Sequence, residues 1–179
     1  MEGIEIRTLV MLMTDAHRFA MIGNELERRG RLADFIQAYY EMVGAEVKKN
    51  GGRLVKYIGD GSLSVFEPKD ASAAVRCGHA LRAGYAALAD GWKLSIETEL
   101  EVGISAGPVS AGIFGHESLR CFDVFGEAVN EAAMITHHRG VAVTGAAKKL
   151  LEGQVRTARL EDKILKWRPE PLEVWEALA

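Results

Sequence analysis

Two short runs rich in β-branched and aromatic residues, 53–58 (Arg-Leu-Val-Lys-Tyr-Ile) and 62–66 (Ser-Leu-Ser-Val-Phe), flank Gly59-Asp60-Gly61. Asp-Gly between two such runs predicts a tight antiparallel hairpin, because the turn requires positive φ. No other stretch constrains the fold as much: two strands become neighbours in one register, with a carboxylate at their tip. Asp60 has glycine on both sides, so a phosphate or a metal ion can approach the backbone closely there. An Asp-Gly pair is also simply a good turn, and the rest of the chain has to decide between the two readings.

Residues 4–14 carry Ile, Ile, Leu, Val, Met, Leu and Met in quick succession, the pattern of a buried strand. The strand is expected to end at Asp15. Ligands gather at the carboxyl ends of strands in helix-covered sheets, which makes Asp15 a candidate metal ligand; an N-cap for the next segment is the other reading. Residues 19–30 read as a helix despite Gly23. A longer helix follows over 32–50, where Leu32, Phe35, Ile36, Tyr39, Met42, Val43 and Val47 form one apolar face. Lys48-Lys49 and Asn50-Gly51-Gly52 close it. After the hairpin, Asp70 is expected to cap a third helix running to about residue 89. Residues 93–105 alternate as a strand, Ala106-Gly107-Pro108 predicts a turn, and 109–114 returns as the next strand. The order strand, helices, hairpin, helix, strand is the βαββαβ pattern of an α+β, ferredoxin-like sheet with helices on one face, widened by extra C-terminal strands.

Residues 120–130 read as a short strand, a glycine break and the start of a helix that continues to about 138. Asp123 and Asn130 are polar groups among apolar neighbours, and an Asn in the first helical turns calls for a partner. A strand over 141–144, a short helix over 145–151 and extended segments over 155–160, 163–166 and 172–175 complete the chain.

Composition narrows the function. With 179 residues, 48% apolar and 26% charged, the chain is most simply one domain, residues 1–179, with an ordinary globular core. A net charge of −3 offers no basic field for nucleic acid. Cys77 and Cys121 are far apart and in no metal-type spacing, as expected of reduced thiols in a cytoplasmic protein. The first residues lack the basic start of a signal peptide, and the early apolar run 9–13 is too short to cross a bilayer. Gly107, Gly112 and Gly115 do not form a dinucleotide fingerprint, and no P-loop pattern occurs. His137-His138 lacks the spacing of a zinc helix.

Several segments, in this order, resemble the catalytic domain of class III adenylyl/guanylyl cyclases over nearly the whole chain. Thr14-Asp15 with Phe19 resembles that family's first metal segment, and Lys56-Tyr-Ile-Gly-Asp60-Gly its Lys-x-x-Gly-Asp hairpin. Val102-Gly-Ile-x-x-Gly107 through Gly112 resembles its Gly-Ile-His-x-Gly segment, with Ser105 where histidine is usual. Asp123-Val-Phe-Gly-x-x-Val-Asn130 resembles its Asp-x-x-Gly-x-x-Val-Asn segment. Leu165-Lys166 with Glu170-Pro-Leu-Glu-Val-Trp175 resembles its ending.

The resemblance implies an adenylate cyclase that converts ATP to 3′,5′-cyclic AMP and pyrophosphate at a homodimer interface. Asp15 and Asp60 would hold two divalent ions, Mg²⁺ or Mn²⁺, as hard oxygen ligands suit. Lys56 and Asp123 would read the base; guanylyl cyclases usually carry Glu and Cys there, which points to ATP. Asn130 would orient the ribose, Lys166 would contact the terminal phosphates, and Phe19 would border the substrate. A regulatory domain in a longer parent chain is compatible with this picture. Three departures stand against it: Met134 where the family usually has an Arg, Ser105 for histidine, and Trp167 for the glycine after Lys166. Met134 donates nothing, so the expected enzyme is slow, and Arg139, His137 and His138 are the candidate substitutes. The alternative is a cyclase homology domain that binds nucleotide or a partner without turnover.

Overall fold

The computed structural model describes residues 3–151 and 153–179. Strand β1 (Glu5–Ala16) leads to helices α1 (Phe19–Arg28) and α2 (Leu32–Lys49). The hairpin β2 (Arg53–Ile58) and β3 (Gly61–Phe66) follows, then α3 (Ala71–Gly91) and the long strand β4 (Leu100–Phe114). The order of these strands in the sheet, β2-β3-β1-β4 with every pairing antiparallel, is the expected ferredoxin-like core. The remaining elements are β5 (Cys121–Phe125), α4 (Glu127–Ile135), β6 (Val141–Thr144), α5 (Gly145–Leu150), β7 (Thr157–Arg159) and β8 (Val174–Ala177). Beyond β4 the sheet continues through β6, β8 and β7 to eight strands, with β5 paired to the far half of β4.

Both faces of this sheet are covered. Val10, Leu12 and Ala16 of β1 join Leu100, Val102 and Ile104 of β4 under α1, α2 and α3. Leu9, Met11 and Met13 point the other way, onto Ala128 and Ala132 of α4. A period-2 strand buried on both sides must be apolar at every position, which explains the unbroken run in β1. The expectation of helices on one face is thus corrected: α4 lies on the opposite face. Gly103 explains the close approach, since a Cβ there would run into the Ala132 carbonyl of α4.

The turn expected at Ala106-Gly107-Pro108 does not form. β4 runs straight through it for 15 residues, paired with β1 from Leu100 to Ala111. Pro108 falls between the stretch paired to β6 (Val102–Ile104) and the stretch paired to β5 (Ser110–Phe114). One edge of β4 has no strand there, so a missing N–H interrupts no ladder. β4 also starts later than expected, at Leu100. Residues 94–99 are anchored by side chains instead: Ser95 Oγ donates to Glu25 at 2.7 Å, and Thr98 Oγ1 to the His17 carbonyl at 2.7 Å. Asp70 makes no side-chain cap of α3; it closes a short 3₁₀ turn, Pro68–Asp70. No helix among the described residues is long and apolar enough to cross a membrane.

Candidate active site

The β2–β3 loop has Gly59 and Asp60 as its central residues, since Ile58 pairs with Gly61. Positive φ falls on Gly59 (φ 60), one residue earlier than an Asp-Gly turn would put it. Gly61 is required for a different reason. It begins β3 beside β1, and a Cβ on it would lie 2.5 Å from the Thr14 carbonyl oxygen. Tyr40 of α2 donates to the Gly59 carbonyl at 2.7 Å and stacks on Tyr57, ring centroids 3.7 Å apart, while Tyr57 donates back to the Tyr40 carbonyl at 2.7 Å. The loop carrying Asp60 is therefore clamped to α2 and docked on the end of β1.

Asp15 lies within β1 and does not cap α1, whose N-cap is Arg18. It sits on the α4 face, two positions beyond Met13, opposite Glu101 in the β1–β4 register. Burial raises the Asp15 pKa, and the nearby Asp60 and Glu101 carboxylates raise it further. Asp15, Glu101 and His137 each offer a ligand atom, all within 4.8 Å of one another. Two carboxylates and an imidazole, with Asp60 close enough to be felt, are a donor set that fits a divalent cation. Glu101 and His137 were not singled out as ligands from the sequence. Glu101 hides in the polar alternation of a strand, and His137 gains its place only through the contact of α4 with Gly103.

Lys56 and Asp123 come together. A bulge at Val55 shifts the β2 register, and bulges re-aim the side chains beside them. Lys56 Nζ donates to Asp123 Oδ2 at 2.7 Å, and Asp123 Oδ1 accepts from the Val124 amide at 2.8 Å. The same Nζ stands 5.4 Å from the Phe125 ring centroid. Lys56, Ile58, Phe125, Asn130 and Met13 line an open cleft of about 470 Å³. Asn130 is exposed on the first turns of α4. A largely apolar cleft lined by a cation and an amide, with the Asp123 carboxylate bonded to that cation, suits a nucleobase with its sugar.

Phe19 opens α1 and packs partly on the core. Lys166 is exposed on the loop that the Lys163–Leu172 bridge closes. Met134 is partly buried against a small cluster that includes Leu165, Leu172 and Val174. Its proposed substitute Arg139 is engaged elsewhere, paired with Glu99 and, at 3.2 Å, with Glu97. His138 stands 3.7 Å from Glu176. Nearer to Met134 on α4, Glu131 accepts from Arg168 at 2.6 Å and from the buried Ser105 hydroxyl at 2.8 Å.

The family model of the adenylate and guanylate cyclase catalytic domain matches residues 5–175. Among curated proteins no match is found. Similar solved structures include the adenylyl cyclase CyaB from P. aeruginosa, 22% identical, with a TM-score of 0.92 over 99% of this chain and 96% of that one. The guanylyl cyclase Cya2 is 21% identical, with a TM-score of 0.86 over 98% of this chain and 93% of that one. The guanylate cyclase domain of RhGC from Catenaria anguillulae, in complex with GTP, is 18% identical, with a TM-score of 0.77 over 98% of each chain. Such low identity carries the fold alone, and both nucleotide specificities occur among these structures. The match over residues 5–175 carries the family: the chain belongs to the adenylate and guanylate cyclase catalytic domains, the class III cyclases.

Proposed function

We propose that this domain is an adenylate cyclase. The 3′-oxygen of ATP attacks the α-phosphorus, the bond to pyrophosphate breaks as the O3′–P bond forms, and 3′,5′-cyclic AMP and pyrophosphate leave. The observation that carries this reading is the Lys56–Asp123 pair, 2.7 Å apart, whose Lys56 lines the Phe125 cleft. Adenine offers a ring acceptor for the Lys56 ammonium and an amino donor for the Asp123 carboxylate, so the pair opens to receive one edge of the base. Asn130, on the same cleft, orients the ribose. Lys166 draws the terminal phosphates from its exposed loop. Phe19 starts a helix four positions after Asp15 and borders the substrate there.

Asp15 and Asp60 would hold two divalent ions, Mg²⁺ or Mn²⁺, which would supply neutralisation of the triphosphate and activation of the 3′-hydroxyl. The chain's own part is to hold the two carboxylates in place, one on β1 and one on the clamped loop. Ile58 and Phe125 on the cleft are each 50% exposed. A second copy of the chain covering them by C₂ pairing would complete the site. A second reading, nucleotide binding without turnover, has one observation in its favour: Met134 offers apolar contact where charge stabilisation is wanted. Incubation with each of the four NTPs and Mn²⁺, followed by identification of the product, decides. Cyclic AMP from ATP alone is expected; cyclic GMP, a cyclic pyrimidine nucleotide or no cyclic product would overturn the reading.

A further inference from the structure

The metal end of the site contains more than the two aspartates that the proposed reaction uses. Asp15 and Glu101 are direct partners across the β1–β4 ladder and share a face. His137 reaches them from just beyond the C-terminus of α4, whose path is fixed by its contact with Gly103. Donors bound to one ion at ~2.1 Å lie at most ~4.2 Å apart, and these three lie within 4.8 Å of one another. Tetrahedral donors on one ion lie ~3.4 Å apart, so closing the set asks each donor to move by less than about 1 Å. Behind it, His17 Nδ1 lies 3.1 Å from Glu101 Oε1, the kind of outer hydrogen bond that fixes a ligating carboxylate. Glu101 is 4% exposed, and a carboxylate so buried and facing another needs a counter-charge.

We propose that Asp15, Glu101 and His137 form a nitrogen-bearing cation site that binds a first-row transition dication in the absence of nucleotide. An imidazole donor separates such ions from Mg²⁺, which prefers oxygen ligands and retained water. The affinity order follows as Mg²⁺ and Mn²⁺ below Co²⁺ and Zn²⁺. This inference builds on the metal role of Asp15 in the proposed reaction and assigns two further residues of the chain, Glu101 and His137, to one ion.

Titration of the nucleotide-free protein with Co²⁺, followed by its visible absorption, tests the proposal, with Mg²⁺ as competitor. Saturable binding with an imidazole-type spectrum, not displaced by an equal concentration of Mg²⁺, is expected. Outer partners of metal ligands typically cost about 10–100-fold in affinity when removed, so His17→Ala should fall in that range. His137→Ala should lose at least about tenfold and lose the preference over Mg²⁺. His137 is exposed, so the variant should fold, and an unchanged circular-dichroism melt checks this. Co²⁺ affinity within twofold of wild type in both His137→Ala and Glu101→Gln would overturn the proposal, as would displacement of Co²⁺ by equal Mg²⁺. Turnover of NTPs by the wild type is measured separately. Metal selectivity without cyclic product sinks the cyclase reading alone, and cyclic product without Co²⁺ selectivity sinks this inference alone.

Discussion

The Lys56 ammonium lies 2.7 Å from Asp123 Oδ2, joining residues 67 positions apart. The two side chains arrive from different elements: one sits beside a bulge in β2, the other on the β5 strand that folds back along β4. Their pairing makes a donor and an acceptor available side by side at the mouth of a cleft floored by Met13 and Leu63.

The first prediction follows from that pair. Lys56→Glu alone would bring two carboxylates within hydrogen-bond distance, so the informative variant is Lys56→Glu with Asp123→Cys. A site built to bond one base edge leaves its groups unpaired against another. The double variant should lower kcat/KM for ATP and raise it for GTP. An unchanged ATP:GTP ratio would show that the pair does not read the base.

The second concerns Asp15. Burial, then Asp60 and Glu101, raise its folded pKa above the ordinary carboxylate value. The folded state then binds more protons than the unfolded one between the two pKa values, so stability falls as pH rises through that window. At neutral pH the ionised Asp15 costs stability, and Asp15→Asn should melt higher than wild type in the metal-free protein, while abolishing cyclase activity. A change of 1 kcal/mol moves Tm by about 2–4 °C in a domain of this size. Near pH 3, where Asp15 is protonated in both states, the gain should vanish. A variant that melts lower than wild type at neutral pH, without metal, would refute the electrostatic account.

The core strands and helices were legible in the sequence because each carried its own period. β1 read as buried from its unbroken apolar run, and α2 from one apolar face. What stayed hidden depended on contacts between distant segments. Ala106-Gly107-Pro108 has the composition of a turn, and only the gap between β5 and β6 along one edge of β4 makes it a strand. The position of α4 on the second face was invisible for the same reason: Gly103 signals a close neighbour without saying which. Of the candidate site, the meeting of Lys56 with Asp123 and of Asp15 with Asp60 follows from segments that could be quoted from the sequence. Glu101, His137 and Arg168 were not legible there, since each takes its place from a partner at least 36 positions away.

The third prediction tests one such hidden network. Ser105 is fully buried, donates to Glu131 Oε2 at 2.8 Å and lies 3.4 Å from Thr144 Oγ1. It stands where histidine is usual, and it satisfies a carboxylate that Arg168 also holds. Ser105→Ala removes the bond donated to Glu131 and the longer one accepted from Thr144, at a net cost of about 1–2 kcal/mol. Glu131→Ala should cost more, because it strands both the hydroxyl and the guanidinium. Chemical denaturation of the two variants and their double checks the order; a Glu131→Ala variant as stable as wild type would dissolve the network.

The last concerns Met134. It lies one helical turn beyond Asn130 on α4, so the two share a face. Its side chain packs against the small cluster that includes Leu165, the neighbour of Lys166, which brings position 134 toward the loop expected to meet the phosphates. An arginine there would reach the charge that develops as pyrophosphate leaves, and one preorganised donor of this kind is worth about 10²–10³ in rate. Met134→Arg should raise kcat by up to that factor and leave KM within a few-fold, since the gain belongs to the transition state. Both residues are good helix formers, so α4 should persist. An unchanged kcat in a folded, ATP-binding variant would mean that another cation already serves. Arg139 is paired with Glu97 and Glu99; Arg168 is paired too, but with Glu131 at 2.6 Å, three positions before Met134 on α4, so it is the variant to measure first. A collapse of kcat in Arg168→Ala, with KM little changed, would then identify it; a fall in stability with kcat unchanged would confine Arg168 to the Glu131 contact.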